Sequence, residues 1–221
     1  MRTLFRARGG IHGLTDLQWQ EFVDVGFVRL EKAASASQLD GLSALSKHIG
    51  DDVRKSQNLW KYGIVRDYIR GLLFRDITAR AYGSGAQIAC YRCVVINKSP
   101  QQKVNKQSVI GWHQDVWDSL KFSPWVTVWT AIEAANQKNG CMRVVPGSHS
   151  SRRKYGENRV GFLSKRESLI IEHCCQWEYL ECEPGDAILL NNFIVHSTQH
   201  NVTRHTRKAL TTCYAPVRFL T

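Results

Sequence analysis

Apolar positions along the chain fall into two regimes. Up to about residue 85 they recur three and four residues apart, the spacing of one helix face. From residue 86 onward they alternate, or run together in short stretches bounded by turns, as strands do. In the first regime Thr15 is placed to cap a helix whose Leu17, Phe22 and Val23 share a face. Gly26-Phe27-Val28-Arg29-Leu30 reads as a short strand. Ser37 followed by Asp40 resembles a capping box ahead of Leu39, Leu42, Leu45 and Ile49. A third helix is predicted from about Asn58 to Ala81, carried by Trp60, Ile64, Tyr68 and Leu72, and ended by Tyr82-Gly83-Ser84-Gly85.

In the second regime Gln87 to Asn97 is a long strand, and Ser99 to Ser108 a polar loop. Strands follow at Val109–Asp115, Trp125–Ile132 and Cys141–Val145, the last after the turn signal Asn139-Gly140. A basic loop is expected from about 149 to 176. Trp177–Cys182, Ala187–Leu190, Phe193–Ser197 and Lys208–Val217 complete the set, with Pro184-Gly185-Asp186 as a turn. Many short strands with regular turns predict a sandwich or double-sheet jelly roll. The expected architecture is one domain over 1–221, with helical support over about 1–85 and a jelly-roll core over about 86–221.

Composition narrows this little: 43% of residues are hydrophobic and 22% charged. No apolar run reaches the roughly 18 residues of a membrane span, and a cytoplasmic protein is the default expectation. The Arg-rich start, Met1 to Gly10, has the flavour of an organellar presequence but lacks a signal peptide's apolar segment. Seven scattered cysteines imply reduced thiols. Cys90 and Cys93 have zinc-motif spacing, but on a strand, residues three apart face opposite sides, and no second such pair exists. The net charge of +11 is compatible with nucleic acid or with an anionic small molecule.

Chemistry enters at Gly111-Trp112-His113-Gln114-Asp115. On a strand His113 and Asp115 point the same way. His196, inside another apolar strand-like run, can supply a third ligand. Two histidines and a carboxylate make the facial triad of non-haem Fe(II) oxygenases and leave coordination positions open, here for 2-oxoglutarate and O2. The far carboxylate of 2-oxoglutarate calls for a cation, best an arginine with its planar fork. Arg207, 11 residues after His196, is brought back by a strand, a connection and a return strand; Arg204 is its nearest competitor. Thr198 shares the strand face of His196 and can add a hydroxyl. His200, four after His196, has the spacing of a helical pair in what reads as a strand and is left out.

Three motifs resemble the phytanoyl-CoA dioxygenase family: Gly111 to Asp115, Asn139-Gly140-Cys141-Met142-Arg143-Val144-Val145-Pro146-Gly147-Ser148-His149, and Pro184-Gly185-Asp186 leading to His196 and Arg207. The resemblance runs from about residue 16 to the end. It implies a double-stranded β-helix (cupin-like) core, His113, Asp115 and His196 as catalytic iron ligands, and Arg207 as the 2-oxoglutarate anchor. It places Trp129 in the co-substrate pocket, with Val94 or Val95 as a further lining residue. For Arg143 it gives no single role: the side chain either reaches the substrate cavity or braces a loop. Family members that halogenate lack the carboxylate ligand, so Asp115 argues for hydroxylation, with release of succinate and CO2.

The substrate expected is a small metabolite, with the basic charge tilting toward an anionic one. Its cavity is expected to be lined from 101–108, 116–124 and 149–176, with Trp117, Phe122 and Arg143 as candidate contacts. A nucleic-acid-acting dioxygenase is the first rival, against which the absence of an aromatic, basic groove weighs. A non-enzymatic jelly-roll binding module is the second.

Overall fold

A computed structural model describes residues 13–50, 57–100, 109–116, 126–151 and 161–219, together with the backbone of a strand at 3–6. Two antiparallel sheets face each other. The larger has six strands, in the order β1 (Thr3–Arg6), β3 (Gln87–Lys98), β10 (Arg207–Pro216), β5 (Val126–Ala131), β8 (Ala187–Asn191), β2 (Phe27–Leu30). The smaller has four: β4 (Ile110–His113), β9 (His196–Thr198), β6 (Met142–Val144), β7 (Glu178–Leu180). This is the expected double-stranded β-helix.

The larger sheet is covered on both faces, so its central strands carry little alternation of polarity; all six residues of β5 are buried. Side-chain parity nevertheless divides two cores. Val126, Val128, Leu210 and Tyr214 face outward onto the helices, while Trp129, Ala131, Ile188 and Ala209 face inward onto Met142 and Val144 of the smaller sheet. The helices are α1 (Asp16–Val25), α2 (Ala36–Ile49), α3 (Gly63–Ile69) and α4 (Leu72–Tyr82). Tyr68 shows how the helical wall is fixed: it is buried, packs edge-on against Phe74 at 4.9 Å, and its hydroxyl meets Thr130 at 3.0 Å. The smaller sheet has its own outer layer, a fifth helix α5 (Lys165–Cys174), over a small core of Trp112, Leu163, Ile171 and Val195.

Several sequence expectations are corrected. The capping box of α2 is Ser35 with Gln38, two residues ahead of Ser37 and Asp40. Leu17 and Val23 are exposed; α1 buries Phe22, with Trp19 tilted against it. The single helix from Asn58 to Ala81 is a 3-10 turn and two helices, broken at Arg70-Gly71. The 149–176 loop contains α5, whose start Ser164-x-x-Glu167 is a capping box legible in the sequence. The basic N-terminus includes β1, paired with β3. Cys90 and Cys93 do not face opposite sides. A bulge in the β3–β10 register pairs Cys90 with Tyr214 and Arg92 with Cys213, skipping Tyr91, so both thiols enter the outer core. All seven cysteines are unbridged. Among the described residues no helix is long and apolar enough to cross a membrane.

Candidate metal centre

β4 and β9 pair so that His113 and His196 are direct cross-strand partners. Such partners project from the same face, here the one turned toward the larger sheet. The two imidazoles lie 4.1 Å apart between ring centroids. Nδ1 of His113 meets the Gly111 carbonyl at 2.9 Å, and Nδ1 of His196 meets that of Ile194 at 3.0 Å. A carbonyl can only accept, so Nδ1 carries the proton in both rings, leaving each Nε2 as a lone-pair donor. Asp115 stands two residues past the end of β4, its amide donating to Asn192. Its Oδ1 is 3.6 Å from His113 Nε2. One ligand atom from each of His113, Asp115 and His196 falls within 4.8 Å of the others, the one such cluster among the described residues. Burial, and second the neighbouring His196, push His113 down to about 4 against the pull of Asp115, so its ring is neutral at ordinary pH. That donor set can hold a hard divalent metal on one face and leave the opposite face open.

Next to the cluster lies a pocket of cations. Thr198, on the His196 face of β9, accepts from Lys98 Nζ at 2.7 Å. Lys98 ends β3 and is the register partner of Arg207, which begins β10. Arg207 is 3% exposed, lies over the Trp129 ring at 5.2 Å, and donates from Nη2 to the Gly140 carbonyl at 2.9 Å. Its Nε and Nη1 are buried with no hydrogen-bond partner among the described residues, an unusual situation for a guanidinium. Those donors fit a carboxylate from a bound 2-oxoacid. Arg204, the competitor, is exposed. Of the two valines, Val95 packs in the helix-facing core; Val94 has the parity of Lys98 and faces the pocket side.

Arg143 does not reach toward the metal. It pairs with Ser197, on the strand face opposite His196. There its guanidinium lies between Trp112 and Trp177, 4.7 and 4.9 Å from their rings. It donates twice to Glu172 of α5, at 2.9 and 3.1 Å, and from Nε to Ser197 Oγ at 3.1 Å. Trp112 Nε1 donates to the same Glu172 at 2.9 Å. Of the two roles left open, the brace is the one observed. Trp117 and Phe122 lie outside the described residues, as do most of the expected loops 101–108 and 116–124.

The 139–149 motif is explained by the same contacts. Gly140 has φ +74, and a Cβ there would sit 2.6 Å from the Gln199 carbonyl; its own carbonyl holds Arg207. Ser148 Oγ accepts from the Val195 amide at 2.8 Å, fixing the backbone beside His196. His149 ties the loop to Val23 of α1 through Nε2 at 2.9 Å. Three participants were not anticipated: Lys98, Glu172, and Phe162, whose ring stacks on His113 at 4.9 Å while 43% exposed. Lys98 had a signal, since Val94, Ile96 and Lys98 share one strand face and end in a charge. Phe162 and Glu172 lie in the stretch read as loop, where no face could be assigned.

Comparison with known proteins agrees with this geometry. In structure, the chain resembles EctD from S. alaskensis, solved with 2-oxoglutarate and 5-hydroxyectoine, with a TM-score of 0.76 at 16% identity over 96% of this chain and 80% of that one. It also resembles the non-heme alpha ketoglutarate dependent carbocyclase SnoK from nogalamycin biosynthesis, with a TM-score of 0.73 at 18% identity over 93% and 87%. In sequence it is 23% identical to the 2-aminoethylphosphonate dioxygenase of uncultured bacterium HF130_AEPn_1 over 67% of this chain and 55% of that protein. The chain spans about half the length of the curated relatives it matches, or less. The family model for phytanoyl-CoA dioxygenase covers residues 10–209, which takes in every residue of the metal cluster and the cation pocket: the chain belongs to the phytanoyl-CoA dioxygenase family.

Proposed function

We propose that this protein is a non-haem Fe(II)- and 2-oxoglutarate-dependent dioxygenase that hydroxylates an unactivated C–H bond of a small-molecule metabolite. The observation that carries the reading is the convergence of His113, Asp115 and His196 on the inner face of the smaller sheet. Membership of the phytanoyl-CoA dioxygenase family and the likeness to dioxygenases support it. When bound, the iron couples oxidative decarboxylation of 2-oxoglutarate, to succinate and CO2, to oxygen insertion into the substrate.

The chain's own residues prepare that reaction. The Nδ1 contacts of His113 and His196 hold both rings in one tautomer and one orientation, so the ligands need no rearrangement when metal arrives. Asp115 brings the single negative charge that offsets part of the metal's. Its presence fills the position a halide would need, which favours hydroxylation over halogenation. Arg207 presents unmet donors to the far carboxylate of the oxoacid, and Thr198 places a hydroxyl between that anchor and His196. Trp129, Met142, Val144 and Ile188 make an apolar floor that keeps water from the reacting centre. Phe162, stacked on His113 and half open to solvent, lies at the approach to the cluster and suits the apolar part of an incoming substrate. We take the 221 residues as one catalytic domain acting in the cytoplasm on a small molecule.

The test is anaerobic addition of Fe(II) and 2-oxoglutarate to purified protein, watching for the visible charge-transfer band of the chelate. The band should appear in the parent, vanish in His113→Ala and Asp115→Ala, and need far more 2-oxoglutarate in Arg207→Ala. A folded parent that gives no band under any condition would sink the oxygenase reading and favour a binding module.

A further inference from the structure

The inner face of the larger sheet is polar at both ends. At one end stand Arg207 and Lys98. Six residues further along β10, about 20 Å away, stands a second polar row. A bulge builds it: Tyr91 is the extra residue on β3, and Cys90 and Cys93 on either side of the bulge both enter the outer core. Tyr91 and Arg92 are therefore left facing inward together, opposite Cys213. The row continues across β5 to the turn after β8. Cys213 is the register partner of Thr127, whose Oγ1 stands 3.3 Å from its Sγ and donates to Asn192 Oδ1 at 2.9 Å. The Asn192 carbonyl in turn accepts from the amide of Asp115 at 2.8 Å, so the row abuts the metal cluster.

Two buried atoms of this row have no hydrogen-bond partner among the described residues: the Tyr91 hydroxyl and Nδ2 of Asn192. Asn192 is 1% exposed. The Cys213 thiol stands beside the phenol but is a weak hydrogen-bonding group. Burial, and after it Cys213, hold the phenol well above its ordinary range, so it stays a neutral donor. Orphaned buried donors lower stability, and these two are satisfied once a ligand supplies the acceptor. Arg92 brings positive charge to the same place: burial raises the Cys213 thiol, and the Arg92 charge draws it back. We infer that Tyr91 and Asn192 are substrate-binding donors, and that the group they receive is a carboxylate on a small organic acid, which offers one oxygen to each. This rests on the oxygenase reading, in which the metal offsets Asp115 and 2-oxoglutarate occupies the opposite end. A five-carbon diacid spans about 5 Å between its terminal carbons, too short to join the two ends, so the row is a separate subsite.

Hexanoate is the probe, with hexylammonium as its cationic counterpart. Both are titrated calorimetrically into the complex with Fe(II) and 2-oxoglutarate under anaerobic conditions, where no turnover occurs. The parent should bind hexanoate and show no comparable binding of hexylammonium. Tyr91→Phe deletes a single oxygen and should weaken hexanoate by about tenfold or more. The melting temperature of the metal-free protein should meanwhile stay the same or rise, because an unsatisfied hydroxyl has been removed. Asn192→Asp keeps the acceptor for Thr127 but sets a carboxylate in place of the amide donor, and should abolish hexanoate binding. A parent that does not bind hexanoate, or a Tyr91→Phe protein that binds it as the parent does, overturns the proposal. So does a melting temperature that falls in Tyr91→Phe, which would make the hydroxyl structural. Weakened 2-oxoglutarate with hexanoate unaffected assigns the row to the co-substrate and overturns the proposal too. If the parent gives no chelate band, the oxygenase reading fails, and titration of the metal-free protein with hexanoate decides the subsite alone: binding that depends on the Tyr91 hydroxyl keeps it, and any other result overturns it.

Discussion

Arg143→Met removes the centre of the layer behind the metal strands. The substitution keeps an apolar stem of similar reach but deletes two charge-assisted bonds to Glu172, one bond to Ser197, and contacts with two indole faces. Breaking a buried ion pair from one side costs about 3–5 kcal/mol. Glu172 is 33% exposed in its side chain, so water repays part of that loss, and about 2–3 kcal/mol is the expected total. In a domain of this size that lowers the melting temperature by roughly 5–10 °C. The assay is urea unfolding of the metal-free parent, Arg143→Met, Glu172→Leu and the double variant, with the midpoint moving at constant slope. The coupling between the two sites should be about 1–3 kcal/mol, since each single variant strands the partner that the double variant removes. Trp112 and Ser197 are the chain neighbours of His113 and His196, so Fe(II) affinity should fall as well. A coupling below about 0.5 kcal/mol, within ordinary additivity error, refutes the brace and leaves the Trp–Arg–Trp stack as mere filler.

Three further outcomes follow. Gly140→Ala should cost about 1–3 kcal/mol, because its φ of +74 is left-handed and the added Cβ meets the Gln199 carbonyl; thermal unfolding checks this, and an unchanged melting temperature contradicts it. Lys98, held at about 8 in the folded chain against an ordinary 10.5, binds fewer protons than in the unfolded chain between those values, so the metal-free protein should gain stability as pH rises from 8 to 10.5. His113 is held below its ordinary 6.5, at about 4; the unfolded chain therefore binds more protons in that window, and stability of the metal-free protein should fall as pH drops from 6.5 to 4. His113→Asn should flatten that slope, and a slope unchanged by the substitution would assign it to other groups.

The metal cluster was legible because strand parity is a rigid rule: His113 and Asp115 two apart, with His196 in a second strand, need only one correct pairing to converge. Asp115 shows the rule's margin, since it lies beyond the end of β4 and reaches the cluster through the Asn192 contact of its amide rather than by strand alternation. Arg207 was legible for the same reason, as the first residue of a return strand. Lys98 was legible only in part: its strand face could be read from Val94 and Ile96, but its place beside Arg207 appears only when β3 is laid against β10 in register, a long-range fact. Arg143 could not be assigned from spacing, since its direction depends on which face of β6 is inner and on α5, a helix hidden in a stretch that reads as loop. The helical wall was legible in outline but not in its ends: capping depends on which of two nearby serines faces the next turn, and Ser35 won over Ser37. Tyr91 marks the limit of parity itself, for one bulged residue brings Cys90 and Cys93, expected on opposite sides, onto the same side.

The pairing of His113 with His196 has a consequence for how long the protein survives in a cell. Both ligands stand on strands of four and three residues, and the pairing is irregular between Ile110 and His113. Strands so short hold register weakly by themselves. A metal bound across them would act as a clasp, stabilising the closed form by mass action in proportion to its free concentration. Amide exchange in β4 and β9 should therefore slow when Fe(II) is added and quicken when it is chelated, while β3 and β10 change little. Under iron limitation the small sheet would open more often and offer itself to proteases, so that iron supply sets the abundance of the protein as well as its occupancy.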